Sequence, residues 1–494
     1  MEQSDRFPRS GPLSSGLGVS RPRPRAEGLG RREFLAAAAA AATVPGRAAQ
    51  QPNVLFVLAD QWRGSAFGFG SDEVVRTPNF DSLAAQGANW RRAYAANPVC
   101  TPNRACILTG RHSHQTGMIK NDIQLPPEEV CWPQILRDAG YATHYVGKWH
   151  LDGPPKPGFV PPGWRRRGFD TFEGFNRGHI YHNPWGFDND GGPLAEMVRG
   201  PDRYYEPALQ TDLAIRFMRA NRDRPFACFL SWGPPHTPFR PPADFDRYKA
   251  AEVVLRANVP SAHEEQARKD LAGYYGLCES LDHQMGRLTE FLDESGLAGK
   301  TLVIFTSDHG ELAGSHGKYR KGQPENESLQ VPLLMRLPGT IAQKTEPSTL
   351  ASSIDLMPTL LSLCGLDATD ACAGVDLSGA VVSGGGPPTV DSIYCEGRVS
   401  SAPGAPPTAN SPVNGPWRSI VTDRYKLTVR NDPSSVESVY DLQEDPLEQR
   451  NLAYTPEQRR LAADLMAELR QWAAASGDPF PARPPRARES YEPA

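Results

Sequence analysis

The feature that most constrains the fold is an uninterrupted apolar run at positions 54–59, Val-Leu-Phe-Val-Leu-Ala. A strand with one face in water alternates apolar and polar residues, whereas a parallel strand covered on both faces is apolar throughout. Similar strand-like runs recur along the chain, separated by helix-like stretches. These runs are Ala142–Gly147, Pro225–Trp232, Thr301–Ser307 and Val331–Arg336. The alternation predicts an α/β domain with a large, mostly parallel central sheet flanked by helices.

Two pairs of polar residues stand directly after strand-like runs. Asp60-Gln61 follows the first run, and Asp308-His309 follows the run at 301–307. Because sites in such sheets lie beyond the carboxyl ends of the strands, we expect the two pairs to hold one divalent cation. The oxygen-rich ligand set favours Ca²⁺, while the imidazole keeps Mn²⁺ open and Mg²⁺ is a further alternative. Each pair taken alone could equally be a turn that ends a strand.

A cysteine is followed by Pro at +2 and Arg at +4 in Cys100-Thr-Pro-Asn-Arg104. A helix that begins near Pro102 would bring Arg104 one turn along, beside Cys100. Its guanidinium can form paired hydrogen bonds to anions, and a helix N-terminus favours negative charge. The alternative is a buried structural cysteine ahead of a helix with Pro in its first turn.

Further polar residues in or after strand-like runs are candidates for anion binding and proton transfer. Lys148 and His150 close one strand, where side chains two residues apart face the same side. His236 follows another strand, in a loop that flanking prolines stiffen. Lys321 is a further candidate, in the segment after Asp308. The secondary candidates in that segment are Lys318 and His316.

The order of these segments resembles that of type I sulfatases, the formylglycine-dependent branch of the alkaline phosphatase-like superfamily. The resemblance covers about residues 52–453. Its motifs are Asp60-Gln61, Cys100–Arg104, Gly147–Leu151, Pro235–Pro238, Asp308–Gly310, Lys321-Gly322 and Tyr440–Leu452. It implies an alkaline phosphatase-like catalytic domain and a smaller C-terminal α+β domain that carries an antiparallel sheet.

The resemblance also implies roles for the site residues. Cys100 would be oxidised by a formylglycine-generating enzyme, and the hydrate of the resulting aldehyde would be the nucleophile. One hydroxyl attacks sulfur, His236 and Lys321 assist the departing alcohol, and His150 takes a proton from the second hydroxyl as sulfate leaves. The implied positive side chains are Arg104, Lys148 and Lys321. The implied metal ligands are Asp60, Gln61, the residue formed from Cys100, Asp308 and His309.

Three departures from the family pattern keep alternatives open. Gln61 replaces an Asp common in sulfatases and is found in branches that include phosphonate monoester hydrolases, so a phosphonate monoester or phosphodiester hydrolase is the main alternative. Asn103 replaces the small residue usual in the modification motif. Glu325 and Asn326 replace Tyr and Glu after Lys321. A catalytically silent protein that binds sulfated glycans is a third alternative.

The N-terminal segment resembles a twin-arginine export signal. Arg31-Arg32 precedes an apolar run at 35–44, which is too short to span a bilayer, and small residues at 48–49 follow it. We therefore expect the twin-arginine translocase as a partner, a periplasmic or extracellular location and no stable membrane insertion. A net charge of −4 gives no reason to expect nucleic-acid binding.

Composition along the chain predicts five segments. A Gly-, Pro- and Ser-rich stretch after the catalytic domain suggests a linker, and a Pro- and Arg-rich end suggests disorder. The predicted segments are the export signal 1–49, the catalytic domain 50–379, a flexible linker or insertion 380–415, a small C-terminal domain 416–475 and a disordered tail 476–494. The resemblance to sulfatases implies a sulfate ester as the substrate, carried by a small molecule or a glycan.

Overall fold

The structure is a computed structural model of the 494-residue chain. It describes residues 51–69, 74–182, 185–194, 205–382, 385, 390–399, 415–453 and 458–480. The predicted export signal therefore lies outside the described residues, as do residues 400–414 of the predicted linker and 481–494 of the predicted tail. Among the described helices, none combines the length and apolar character needed to cross a membrane.

Fourteen strands and nine α-helices are used below. The strands are β1 (Asn53–Asp60), β2 (Ala88–Asn89), β3 (Ala93–Tyr94), β4 (Ala142–Lys148), β5 (Thr171–Phe175), β6 (Phe226–Pro235), β7 (Thr301–Ser307), β8 (Gln330–Val331), β9 (Leu333–Arg336), β10 (Ala351–Ser352), β11 (Ser392–Val399), β12 (Gly415–Thr422), β13 (Tyr425–Arg430) and β14 (Asp432–Asp441). The helices are α1 (Pro78–Ala85), α2 (Cys100–Thr109), α3 (Ser113–Thr116), α4 (Trp132–Asp138), α5 (Glu206–Ala220), α6 (Glu264–Glu294), α7 (Asn326–Leu329), α8 (Leu356–Leu363) and α9 (Arg459–Ser476).

The central sheet has seven strands in the order β2-β9-β7-β1-β6-β4-β5. Strands β7, β1, β6, β4 and β5 are mutually parallel. Strand β9 is antiparallel to both of its neighbours, β7 and β2. The prediction of a large, mostly parallel sheet is confirmed. A second, three-stranded sheet has the order β10-β3-β8.

Strand β1 is apolar throughout because both faces of the sheet are covered. Val54, Phe56 and Leu58 belong to a core cluster that includes residues of α4 and α8. Leu55 and Val57 belong to a second cluster, on the opposite face, with residues of α1, α5 and α6. Alternate side chains of a strand point to opposite faces, so the apolar run packs against helices on both faces of the sheet.

A separate antiparallel sheet follows the central sheet along the chain, in the order β11-β12-β13-β14, and α9 packs against it. The predicted linker is wrong for residues 392–399, which form β11. Ile393 and Tyr394 of this strand are buried in different clusters, so both of its faces are covered. Strands β12 and β13 form an antiparallel hairpin within this sheet.

The predicted tail begins too early. Helix α9 continues to Ser476, and the side chains of Asp478 and Phe480 are buried beyond it. Asp478 accepts hydrogen bonds from Tyr394 and Arg418 of the antiparallel sheet. Burial of this partnered carboxylate anchors the chain as far as residue 480.

Candidate active site

Four neighbouring strands of the central sheet end at one place. Asp60 is the last residue of β1, and Asp308 follows β7, with Ala59 and Ser307 in register between the two strands. Lys148 is the last residue of β4, which is separated from β1 only by β6. The sheet order β7-β1-β6-β4 therefore explains why residues distant in sequence converge at the carboxyl edge.

Cys100 is the first residue of helix α2 and is buried. Its Sγ lies 2.8 Å from Nζ of Lys321 and 3.3 Å from Nε2 of His309. It also lies 3.7 Å from Oδ1 of Asp60 and 3.8 Å from Nζ of Lys148. A structural cysteine normally packs among apolar groups, so this polar surrounding favours a chemical role for position 100.

Arg104 lies on the next turn of α2 and holds the two carboxylates. Its Nε donates to Oδ2 of Asp308 at 3.0 Å, and its Nη2 donates to Oδ2 of Asp60 at 3.2 Å. Its Nη1 donates to the carbonyl of Lys148 and to Oγ of Ser231, both at 2.8 Å. Because these bonds occupy the guanidinium, Arg104 acts mainly by orienting the carboxylates.

A group of side chains could hold a cation. One ligand atom from each of Asp60, Cys100, Asp308 and His309 lies within 4.8 Å of the others, and all four residues are buried. Nδ1 of His309 is 3.0 Å from the carbonyl of Gly310. A carbonyl only accepts, so Nδ1 carries the proton and Nε2 can present its lone pair to the group.

Gln61 contributes an observation that favours a bound cation. Its Nε2 donates to Oε2 of Glu311 at 2.6 Å, while its Oε1 is buried without a hydrogen-bond partner among the described residues. Leaving a buried carbonyl oxygen unsatisfied costs about 1–3 kcal/mol. A hard divalent cation that prefers oxygen ligands would satisfy it. The donor set therefore fits the cation expected from the sequence.

The electrostatic environment is strongly positive around the thiol. Burial raises the pKa of Cys100 and so does Asp60, but Lys148 and Lys321 outweigh them and hold the pKa well below its usual value. Burial also raises the pKa of Asp60, and Lys148 foremost then lowers it well below its usual value. Lys148 Nζ donates to Oδ2 of Asp60. Such a field suits an anionic substrate.

The structure adds a histidine that the sequence did not single out. The rings of His179 and His236 stack with centroids 3.6 Å apart and planes 5° apart. Tyr181 donates its hydroxyl proton to the carbonyl of His236, at 2.7 Å, so it can only accept from Nδ1 of His179, at 3.3 Å. Nε2 of His179 is then free to accept from Lys148, 3.4 Å away. His179 lies in the loop that follows β5, a strand that the sequence patterns did not predict.

Both stacked imidazoles are poorly suited to carry charge. Burial lowers the pKa of His236 well below its usual value, and Lys321 adds to the effect. Burial and Lys148 do the same to His179. The pair therefore presents neutral rings next to a cationic site, and because each Nδ1–H faces an oxygen, the Nε2 atoms are acceptors.

His150 is oriented differently from the expected strand pattern. Strand β4 ends at Lys148, and His150 has a left-handed backbone with φ of 61°. Its Nε2 lies 3.0 Å from Oδ1 of Asp122, while its Nδ1 is buried without a partner among the described residues. The carbonyl of His150 accepts from Thr101, one residue after Cys100. The argument that Lys148 and His150 share a strand face is therefore wrong, although His150 stays beside the start of α2.

The competing candidates of the Lys321 segment lie elsewhere. Lys318 forms an ion pair with Glu325, and His316 contacts the side-chain amide of Asn258 at 3.1 Å. Among the described contacts of Cys100, Lys321 is the cation from this segment. The geometry thus favours Lys321 over both alternatives.

Asn103, the unusual residue of the cysteine motif, has a defined place. Its Nδ2 donates to the carbonyl of Asp308 at 2.7 Å, and its Oδ1 accepts from Oγ of Ser353 at 2.5 Å. The side chain is fully buried. Asn103 therefore ties helix α2 to the loop that carries Asp308, which a smaller residue could not do.

Comparisons with known proteins agree with this geometry. Residues 52–366 match the family model described as Sulfatase. The ulvan-active sulfatase of Formosa agariphila is 34% identical over 440 residues, which cover 88% of this chain and 83% of the relative. The N-acetylglucosamine-6-O-sulfatase of Bacteroides thetaiotaomicron is 26% identical over 411 residues, covering 66% and 70%.

A solved structure extends the likeness to the whole fold. The structure of yidJ from Bacteroides fragilis, described as a sulfatase, has a TM-score of 0.78 and 25% identity. The alignment covers 89% of this chain and 98% of that chain. The expected sulfatase resemblance is confirmed, and the chain belongs to the sulfatase family.

Proposed function

We propose that this chain hydrolyses sulfate monoesters of carbohydrates, using a formylglycine formed from Cys100 and a divalent cation. The observation that carries the proposal is the position of Cys100. It begins helix α2, and its Sγ contacts Nζ of Lys321. The same Sγ lies within 4.8 Å of ligand atoms of Asp60, Asp308 and His309. The names of the N-acetylglucosamine-6-O-sulfatase and the ulvan-active sulfatase support a sulfated carbohydrate as the substrate class.

The charges of the site support an anionic ester. Two buried cations, Arg104 and Lys148, and the half-buried Lys321 face two carboxylates, Asp60 and Asp308. With position 100 uncharged after oxidation, the side chains alone carry a surplus of one positive charge, and a bound divalent cation would add two more. A sulfate monoester carries one negative charge, so its entry into this buried site is favourable.

The surroundings of Cys100 fit an oxygen-bearing side chain. Nζ of Lys321 and Nζ of Lys148 are donors aimed at Sγ. A formylglycine hydrate supplies two hydroxyls on one carbon, one to attack sulfur and one to release sulfate afterwards. The N-terminus of α2 adds positive potential at the same point.

Two groups of side chains divide the proton transfers. His236 and Lys321 lie on the side where the alcohol departs, in our assignment. Lys321 can donate a proton to its oxygen, whereas the neutral His236, whose Nδ1–H faces the carbonyl of Thr237 at 2.8 Å, donates only after it has taken up a proton. His179 stacks on His236 and accepts from Lys148, which holds both groups in place. Asp122 holds Nε2 of His150 and leaves Nδ1 available as the base for sulfate release.

The cation would be held by Asp60, Gln61, Asp308 and His309 together with position 100. A bound divalent cation lowers the pKa of an oxygen ligand and neutralises developing charge. The four oxygen-bearing positions make Ca²⁺ the first choice, with Mn²⁺ and Mg²⁺ as alternatives. The orphaned Oε1 of Gln61 supports its inclusion in the set.

Export and maturation form a second part of the proposal. Arg31-Arg32 and the short apolar run at 35–44 support recognition by the twin-arginine translocase, which carries folded proteins. The motif from Cys100 to Arg104 supports recognition by a formylglycine-generating enzyme before export. The mature protein would then act in the periplasm or outside the cell.

Replacement of the nucleophile tests the proposal. Cys100→Ser retains one hydroxyl but has no second one to expel sulfate, so turnover of an aryl sulfate should fall at least about 10⁴-fold. Mass spectrometry of the peptide around position 100 should find an aldehyde in the wild type and a sulfated side chain in the variant after substrate is added. Full activity with an intact Cys100 thiol would contradict the proposal.

The alternative is a phosphonate monoester or phosphodiester hydrolase on the same scaffold. Gln61 favours it, because a neutral ligand there is a feature that this chain shares with such enzymes by resemblance. Parallel assays of the purified wild type with an aryl sulfate and an aryl phosphonate monoester separate the two. We expect the larger kcat/KM for the aryl sulfate, and the reverse order would favour the alternative.

A further inference from the structure

Glu311 is a buried carboxylate with no role in the proposed reaction. It lies three residues after Asp308, and only 1% of it is exposed. Its Oε1 accepts from the backbone N–H groups of Ala313 and Arg320, both at 2.7 Å. Its Oε2 accepts from Nε2 of Gln61 at 2.6 Å. All of these partners are donors, so Glu311 acts here purely as an acceptor.

This arrangement fixes which end of the Gln61 amide faces the metal-ligand group. A glutamine side chain has one oxygen and one NH₂ group, and its neighbours decide their orientation. Since a carboxylate can only accept, Nε2 of Gln61 must point to Glu311. Oε1 is then left as the buried atom without a described partner.

The backbone of Gln61 is held as firmly as its side chain. The residue has a left-handed φ of 72°, its N–H donates to Oδ1 of Asp308 at 3.1 Å, and its carbonyl accepts from Tyr274 at 3.0 Å. The side chain therefore reaches the site from a fixed origin, and only rotation about its last bond exchanges oxygen and nitrogen.

We propose that Glu311 is a positioning residue that sets the Gln61 amide so that its oxygen, and not its NH₂ group, faces the cation. Partners behind a ligand that fix its orientation commonly change metal affinity about 10- to 100-fold when they are removed. The inference rests on the proposed function, because it requires a cation at Asp60, Gln61, Asp308 and His309.

The variant Glu311→Gln keeps the size of the side chain but replaces the oxygen that accepts from Gln61 with an NH₂ group, which donates. The two backbone N–H groups of Ala313 and Arg320 cannot accept, so the new amide must keep its oxygen toward them. Its NH₂ group then faces Nε2 of Gln61, and the Gln61 amide must rotate to offer its oxygen. That rotation turns an NH₂ group toward the cation, and Ca²⁺ affinity should fall at least about tenfold.

The exchange Gln61→Glu/Glu311→Gln should restore binding. The new carboxylate at position 61 accepts from the new amide at position 311 and still offers an oxygen to the cation. The formal charge of the pair is unchanged. We expect a Ca²⁺ dissociation constant within about threefold of the wild type, or a tighter one.

Asp282 offers a matched control. Its carboxylate also accepts from two backbone N–H groups and one side-chain amide, those of Asn79 and Phe80, and it lies on α6 outside the metal-ligand group. Asp282→Asn therefore removes the same kind of buried charge. It should leave Ca²⁺ affinity within about threefold of the wild type.

The measurement is calorimetric titration of chelator-treated full-length protein with Ca²⁺ and, separately, Mn²⁺. Folding of each variant is checked by circular dichroism. Wild-type affinity in Glu311→Gln, or no recovery in the exchange variant, overturns the inference while leaving the proposed function intact. If Glu311→Gln does not fold, the exchange variant carries the test. The inference then requires that the exchange variant both folds and binds Ca²⁺, and loss of folding or of binding overturns it. Absence of any binding by the wild type would overturn the proposed cation and this inference with it.

Discussion

Two buried groups in this molecule contain the same residue types and behave differently. The catalytic group holds Asp60, Asp308 and His309 beside Arg104. The junction group, at the contact of α3 with the antiparallel sheet, holds His114, Glu396 and Asp478 beside Arg418. Each group offers ligand atoms from its histidine and carboxylates within 4.8 Å of one another. Proximity alone would describe both as metal sites.

The carboxylates of the junction group are paired with the guanidinium of Arg418. Arg418 donates through Nε and Nη2 to the two oxygens of Asp478 and lies 3.6 Å from Oε2 of Glu396. Nδ1 of His114 contacts Oε1 of Glu396 at 3.1 Å, and Tyr394 donates to Asp478 at 2.7 Å. Every carboxylate oxygen therefore has a partner within the described residues, and the group joins the sheet to the core.

The carboxylate oxygens of the catalytic group also have partners, and the difference lies in the adjacent Gln61. Arg104 spans the two carboxylates without enclosing them, and the oxygen of Gln61 stays without a described partner. The difference teaches that an unsatisfied, buried lone pair distinguishes a binding site from a structural ion pair better than residue composition does.

The largest expected effect breaks the catalytic group. Asp308→Asn removes a proposed cation ligand and the charged acceptor of the Arg104 Nε–H, so kcat/KM for an aryl sulfate should fall at least about 10³-fold. Without bound cation, burial and the neighbouring Asp60 raise the pKa of the Asp308 carboxyl despite its contact with Arg104, so removing its charge should change stability little. Steady-state kinetics with saturating Ca²⁺ test the expected loss of activity. Thermal unfolding in the presence of a chelator tests the expected small change in stability.

One result for Asp308→Asn would contradict the proposed difference between the catalytic group and the junction group. If Asp308→Asn keeps most activity but lowers the free energy of unfolding by several kcal/mol, the catalytic group is structural and the distinction from the junction group disappears.

The second effect breaks the junction group. Asp478→Asn leaves the buried guanidinium of Arg418 without its paired carboxylate, which should lower the free energy of unfolding by about 3–5 kcal/mol. The folded fraction should keep its specific activity, because Asp478 lies outside the site. Urea unfolding followed by fluorescence, with activity per folded molecule, provides the measurement.

Asp423→Asn is the control for the junction variant. Asp423 pairs with Arg92, but its side chain is 74% exposed. Exposed pairs contribute about 0–1 kcal/mol, so this variant should unfold close to the wild type. An equal loss of unfolding free energy in both variants would mean that burial of the pair between Asp478 and Arg418 does not determine its contribution to stability.

The two groups also differ in how well the sequence predicted them. Asp60, Lys148 and Asp308 were predicted because each stands at the end of an apolar run, and parallel strands bring such ends together. The junction group draws on α3, β11, β12 and the residues after α9, and no local pattern links these segments. Its strand β11 was missed because Gly, Pro and Ser around it resemble a linker.

Other misses have local causes. His150 was expected on a strand face, but β4 ends two residues earlier and a left-handed backbone turns the chain. His179 and Glu311 act through contacts made by the folded loops, for which the sequence offers no periodicity. Sequence position identified the residues that strands carry to the site, whereas the residues that orient them required the structure.

The smallest expected effect concerns pH and sharpens the comparison. Burial alone would raise the pKa of the Glu396 carboxyl, but His114 foremost, and Arg418, lower it to about 2, from 4.5 for the unperturbed group. A carboxyl with a depressed folded-state pKa stabilises the fold above about pH 4.5, and this stabilisation is lost as pH falls toward about 2. Glu396 should therefore contribute up to about 3 kcal/mol at pH 5 that is absent near pH 2.

His114 sets the upper limit of the same window. Burial lowers its pKa, but Glu396 outweighs burial and raises the pKa above the usual 6.5. A raised pKa stabilises the fold below about pH 6.5 and loses this effect as pH rises through the folded-state value. The ion pair of Glu396 and His114 should thus be strongest between about pH 4.5 and 6.5.

Urea unfolding of the wild type and Glu396→Gln between pH 7 and 3 tests this window. The variant lacks the titrating carboxyl, so its deficit in unfolding free energy should be largest between about pH 5 and 6 and should shrink as the pH falls below about 4.5. Acid titration of the catalytic carboxylates affects both proteins and cancels in the difference. A deficit that stays constant down to pH 3 would mean that Glu396 contributes by packing and hydrogen bonding, and that the junction group does not depend on its charge.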